Sequence, residues 1–308
     1  MDNIEKRILE EVLDMHNKMP EGAMNIRLNG EAAERRSTAN IDITPRPDGT
    51  GININIKPHT KNQTCCIPVV ISKTGYKEMV INEFTIGEDC DVTIVAGCGI
   101  HNCGDQESQH DGLHTFHVGK GSHVKYIERH YGEAAEGRTG GRIMNPKTEI
   151  YLEEGATLEM ESTQIKGIDS TKRETKAVVG KDARLILKER LLTNGEQYAE
   201  SRMDAELVGE NSSANLISRS VATENSRIVF YSNIAGKAPC HGHTECDSII
   251  AGEAKVLAVP ALDADHPDAE LVHEAAIGKI AGEQLIKLET LGLTREEAEQ
   301  AIIEGFLK

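Results

Sequence analysis

GEDCDVTI (87–94), GKGSHVKY (119–126), EEGATLEM (153–160) and GKDARLIL (180–187) are four copies of one short pattern. Each has a polar or glycine-bearing turn, then a small residue, then apolar residues at alternate positions. The pattern returns in GENSSANLI (209–217), TENSRIVF (223–230) and AGEAKVLA (251–258). With the small residue as marker, the copies fall at Cys90, Ser122, Ala156, Ala183, Ser212, Ser226 and Ala254, in steps of 32, 34, 27, 29, 14 and 28. A recurrent period of this kind implies stacked supersecondary units sharing one continuous core. Two short strands per period of about 28 residues, with no helix inside it, predict an all-β core wound as a right-handed parallel β-helix, a β-solenoid. The competing reading is an antiparallel sandwich whose turns happen to recur.

Outward from this stretch, Ile41, Ile43, Ile52, Ile54, Ile56, Met79, Ile81, Val92 and Ile94 keep the period of two and extend the strands towards the N-terminus. Ahead of them, Ile4, Ile8, Val12, Met15 and Met19 lie three or four apart and predict an amphipathic helix ended by Pro20. At the other end, EQLIKLETLGL reads as a helix stopped at Gly292. Thr294 with Glu297 is a capping-box signature opening a last helix over 295–307, with Ala298, Ile302 and Phe306 on one face. The expected organisation is therefore an N-terminal helix (1–20), a β-helix core (21–280) and a C-terminal helical subdomain (281–308). That subdomain would either cap the open end of the solenoid or dock a partner.

Composition narrows the function. With 34 Lys+Arg against 50 Asp+Glu the chain carries a formal charge of −16, the opposite of what phosphate neutralisation needs, so nucleic acid is not an expected partner. No apolar run is long enough to span a membrane and MDNIEKRILEEV lacks a signal core, so the expectation is a cytoplasmic protein without a membrane partner. Ten aromatics, none of them Trp, leave the core to Ile, Val, Leu and Ala, which suits thin repeated layers. There is no phosphate-binding loop, H-E-x-x-H, G-x-S-x-G or dinucleotide fingerprint. The chain is expected not to be an enzyme, nor to hydrolyse ATP itself.

Seven Cys in a reducing compartment point to packing, metal or sulfur chemistry rather than disulfides. CHGHTECDS (240–248) packs Cys240, His241, His243, Glu245, Cys246 and Asp247 together, a density of thiolate and imidazole suited to zinc, iron or iron-sulfur clusters. On a strand, however, Cys240, Gly242, Thr244 and Cys246 face one way while His241, His243 and Glu245 face the other. Small buried Cys with exposed His is thus an equally available reading. A second group, Cys98, His101, Cys103, His110, His114, His117 and His123, holds seven soft ligands without a diagnostic spacing. It leaves open a Cys/His metal-binding solenoid. His273-Glu274, an ionisable pair after a strand-like ELV, would be unremarked alone.

Taken in order, SRSVA (218–222), CDSIIAG (246–252), HEAAIGKIAGEQL (273–285) and TLGLTREEAEQAIIEGFLK (290–308) resemble the C-terminal half of the SufB/SufD family of iron-sulfur cluster assembly proteins. The likeness covers about the last 90 residues well and reaches more loosely back to about residue 80. The resemblance implies a right-handed parallel β-helix, a scaffold for transient iron-sulfur clusters with none bound permanently, and a SufC-type ATPase docking on the C-terminal helices. Residue by residue, it places Cys246 at the SufB branch's cluster-assembly cysteine and His273 and Glu274 at the family's His-Glu pair. Cys240 and His243 are added here as auxiliary ligands from their closeness to Cys246. Leu285, Leu288, Leu291, Ile302 and Phe306 are the apolar positions offered to the ATPase. Cys246 and His273, 27 residues apart, are expected to stack one coil above the other. A family pairing through the sheets implies a homodimer for this chain. The chain is shorter than the better-known members, lacks a C-x2-C-x3-C cluster near its start, and leaves the sulfur donor open. A cluster-free adaptor holding the ATPase is the alternative on the same fold.

Overall fold

The computed structural model describes residues 1–13 and 21–307. Among these residues are nineteen strands and three helices, α1 (Asn3–Leu13), α2 (Gly282–Thr290) and α3 (Arg295–Phe306). From Gly51 onward the strands alternate between two sheets, one of ten strands and one of nine, and each pairs in parallel with the strand two places along the chain. This is a flattened parallel β-solenoid, and the antiparallel sandwich is set aside. Met15, Met19 and Pro20 lie outside the described residues.

The repeat has a physical cause at one corner of each coil. Asp89, Gly121, Gly155, Asp182 and Asn211 all have positive φ, between 51° and 68°. Only glycine, or a short polar side chain that bonds locally, enters that region cheaply. The chain then reverses into the first sheet, and the next residue turns inward: Cys90, Ser122, Ala156, Ala183 and Ser212, all at most 1% exposed. A small side chain is needed because identical corners stack one strand spacing apart. Ser226 and Ala254 mark the corner entering the other sheet, which is why the marker step halves to 14 at Ser226.

Inside, alternate positions of both sheets build a single aliphatic column broken by few aromatics. Phe84 stacks on Phe116 at 4.2 Å, with Tyr126 edge-on at 5.0 Å. α1 lies on the outer face of the ten-stranded sheet, where Gly97 and Gly99 leave room for Val12 and Ile8. Arg7 pairs with Glu133 and pins the helix.

The two ends of the solenoid differ. At the N-terminal end each sheet closes with an antiparallel pair, and the outermost strand Glu31–Arg36 is exposed along its whole length. At the C-terminal end the strands Lys255–Ala264 and Ala269–Gly278 are unpaired on their outer edges. Inward-phase residues there are open, Leu262 at 40% and Ile277 at 42% exposure. Capping by the helical pair is not what is found, because α2 and α3 pack mainly on each other. The capping box at Thr294 and Glu297 is present as expected.

Candidate functional site

Cys246 sits on the strand Cys240–Ile250, whose burial alternates strictly over its first nine residues. Cys240, Gly242, Thr244, Cys246 and Ser248 point into the solenoid, and His241, His243, Glu245 and Asp247 point out. The next coil pairs Thr244 with His273, Glu245 with Glu274 and Cys246 with Ala275. The expected stacking of Cys246 on His273 is therefore corrected. The coil is 29 residues long here, not 27, so His273 falls two residues short of Cys246. The two side chains keep the same inner face as diagonal neighbours, roughly 8 Å apart by strand geometry.

The five metal-ligand candidates divide between two faces. Cys240, Cys246 and His273 are interior, while His243 and Glu274 meet on the exterior, His243 Nε2 lying 3.7 Å from Glu274 Oε2. His243 Nδ1 is 3.0 Å from Asn215 Oδ1. A shallow outer groove of about 480 Å³ runs past His241, His243, Glu270 and Val272. Cys240 stands six residues from Cys246 on the same face, about 20 Å away on an extended strand, and cannot share an ion with it. Among the described residues no three His, Cys, Asp or Glu side chains converge to hold a metal.

Cys246 is 1% exposed, and burial pushes its thiol up to about 11 against the hydroxyl of Ser248. Ser248 Oγ lies 2.7 Å from Ser220 Oγ in the neighbouring strand. The group is therefore a protected neutral thiol until an electrophile or metal displaces its proton. His273 keeps a buried Nδ1 with no hydrogen-bond partner.

The second Cys/His group also disperses. Cys103 is exposed just after the strand that ends at Asn102, His101 is tied to Glu133 at 2.6 Å beneath α1, and His117 stacks on Tyr151 outside at 5.1 Å. Cys98, His110, His114 and His130 do line one enclosed gap with Asn82 and Glu128, of about 20 Å³, room for one water.

Behind that gap lies a feature the sequence reading missed. Arg173 crosses the interior from the nine-stranded sheet to Glu128 at 2.6 Å and Glu189 at 3.2 Å, all three at most 4% exposed. Ser201 donates to Glu189 at 2.9 Å, and His130 Nδ1 lies 3.1 Å from Arg173 Nη2. Burial opposes ionisation of Glu128, yet Arg173 and His130 hold its carboxyl well below the usual range. For Glu189 burial prevails and the carboxyl is raised. The available signal was phase: Glu128, Arg173 and Glu189 each occupy the apolar position of an alternating strand.

On the C-terminal helices Leu285 is buried at 4% exposure, while Leu291 at 76% and Ile286 at 59% are open. Leu288, Ile302 and Phe306 are half-buried.

The fold and site define a class, the parallel β-solenoids that keep a thiol inside an unpaired end and carry two appended C-terminal helices. The profile of the SUF system FeS cluster assembly SufBD core domain matches residues 75–306. An iron-sulfur cluster assembly SufBD family protein of Pyrococcus horikoshii is 31% identical over 285 residues, 92% of this chain and 81% of the relative. One from Archaeoglobus fulgidus is 31% identical over 263 residues, 85% of this chain and 69% of the relative. A third, from Methanothermobacter thermautotrophicus, is 30% identical over 71% of this chain but only 53% of its own length. The chain belongs to the SufBD family of iron-sulfur cluster assembly proteins. No described helix is long and apolar enough to cross a membrane.

Proposed function

We propose that this chain is a non-enzymatic scaffold on which iron and sulfide are joined into a nascent cluster, with Cys246 as the anchoring thiolate and His273 as the second interior ligand. The observation that carries the reading is that a protected thiol and an unpartnered imidazole nitrogen lie as diagonal neighbours on one inner face near the open end of the solenoid. Iron is a substrate here, and its binding displaces the Cys246 proton that burial otherwise retains. Glu274, on the outer face with His243, serves as an entry ligand rather than a member of the interior set. The open strands Lys255–Ala264 and Ala269–Gly278 pair with a second copy, which would seal the site from water. A SufC-type ATPase docks on the exposed side of α2 and the α2–α3 turn, around Ile286 and Leu291, and drives opening.

The test is anaerobic reconstitution with ferrous iron and sulfide, comparing wild type with Cys246→Ser by iron and sulfide content and visible absorption. Cluster formation in the wild type and its loss in Cys246→Ser is expected. Equal content in both, or none in either, overturns the scaffold reading and favours an adaptor that only holds the ATPase.

A further inference from the structure

Three buried polar atoms without a hydrogen-bond partner lie on the strands of the last coils, the same coils as Cys246: Thr244 Oγ1, Ser232 Oγ and His273 Nδ1. Thr244 is 0% and Ser232 2% exposed, so neither hydroxyl reaches bulk water. A buried hydroxyl left unpaired costs more than an ordinary hydrogen bond returns, so three on these coils require an explanation.

Their arrangement follows from the coil. Thr244 pairs with His273 along the ten-stranded sheet, both facing inward. Across the interior, a Cβ on Gly236 would meet Cys240, and one on Gly242 would meet Ile234. The same progression brings Ser232, two residues before Ile234, opposite Thr244, two residues after Gly242. Thr244, Ser232 and His273 therefore surround one level of the interior, one step along the strand from Cys246. Leu216, Leu271 and Ile234 form the neighbouring walls.

We infer that this level is a sulfide pouch, in which the Thr244 and Ser232 hydroxyls donate hydrogen bonds to a hydrosulfide ion held beside Cys246. The inference rests on the scaffold reading above and deepens it by naming the residues that hold the inorganic sulfur. Two hydroxyl donors among aliphatic walls suit a large, soft, weakly hydrated anion that accepts several hydrogen bonds. The open end of the solenoid, one coil away, provides its entry. Thr244 and Ser232 act on the bound sulfur alone and leave the Cys246 backbone and strand register unchanged.

The experiment is an anaerobic titration of the iron-free, full-length protein with sodium sulfide, following hydrosulfide affinity by calorimetry. The set comprises wild type, Thr244→Val, Ser232→Ala and Thr244→Ser. Wild type is expected to bind hydrosulfide, and Thr244→Val and Ser232→Ala each to bind roughly tenfold more weakly, the value of one hydrogen bond to a charged group. Thr244→Ser, which keeps the hydroxyl, is expected to restore wild-type affinity, a rescue that a packing role would not give. Thermal unfolding of each variant confirms that the fold is intact. Wild-type affinity in Thr244→Val and Ser232→Ala, no hydrosulfide binding in the wild type, or equal affinity for chloride would each overturn the pouch. None of these results alters the outcome of the Cys246→Ser reconstitution, so the two readings fail separately.

Discussion

Replacing Arg173 by methionine removes the one cation between two interior carboxylates while conserving most of the side chain's volume. Glu128 and Glu189 contact it at 2.6 and 3.2 Å, and all three groups are essentially out of water. Breaking a buried pair by deleting one partner costs about 3–5 kcal/mol, chiefly because the other charge is stranded. Two stranded carboxylates put Arg173→Met near the upper figure, about 5 kcal/mol, a large part of a typical domain's stability. The sign of the pH dependence is fixed by the same geometry. In the wild type the Glu128 carboxyl is depressed, so its contribution is full above the ordinary carboxylate range and is lost as pH falls through the folded value. In Arg173→Met both carboxyls are raised, so the folded form gains protons first and is relatively stabilised by acid. The deficit therefore narrows as pH falls from 8 towards 5.5. Urea denaturation at both pH values measures it, and hydrogen exchange over 123–134 and 184–193 localises it, because a solenoid need not unfold all at once. The triple variant Arg173→Met, Glu128→Gln, Glu189→Gln recovers most of the loss. A deficit below about 1 kcal/mol at pH 8, or one independent of pH, would refute the account of the triad.

Gly99→Ala inserts a methyl group where Ile8 of α1 packs, and is expected to cost about 1–3 kcal/mol and lift the helix; limited proteolysis should then cut after Lys6 and Arg7 faster than in wild type. Leu262→Lys with Ile277→Lys places like charges on the open C-terminal coil, and sedimentation should report a monomer where the wild type pairs. A wild type that is itself monomeric would remove the pairing from the proposal.

What was legible in the sequence was whatever the coil repeats. The corner markers Cys90, Ser122, Ala156 and Ala183 are small for a steric reason that recurs at every turn, so they identify the solenoid without an alignment. What was not legible depends on coil length and strand phase. Loops set the length of each coil, so a difference of two residues between 27 and 29 moved His273 from Cys246 to Thr244. Met79 and Ile81 marked a strand correctly but occupy its outer phase; Val80 and Phe84 form the core there. The interior charges escaped because an ionisable residue on a strand reads as solvent-facing until its partners across the solenoid are known. Thr244 and Ser232 were unreadable for a related reason. Their significance lies in what they fail to bond, and a sequence records no missing partner.

The unlike ends of the solenoid also set a limit on growth. The exposed terminal strand at the N-terminal end carries Glu31, Glu34, Arg35 and Arg36, and an antiparallel, charged edge resists further pairing. Among the described residues the other end combines unpaired backbone groups with exposed inward-phase apolar side chains, Leu262 and Ile277. Joining two such open ends would be a two-fold, self-complementary contact that uses up the apolar open edge of each chain, whereas head-to-tail joining would propagate without limit. A parallel β-stack is otherwise close in geometry to a fibril. If two chains join in the proposed way, the polarity of the rod makes polymerisation terminate at its first step, and a protein built on amyloid-like pairing would remain a particle of fixed length.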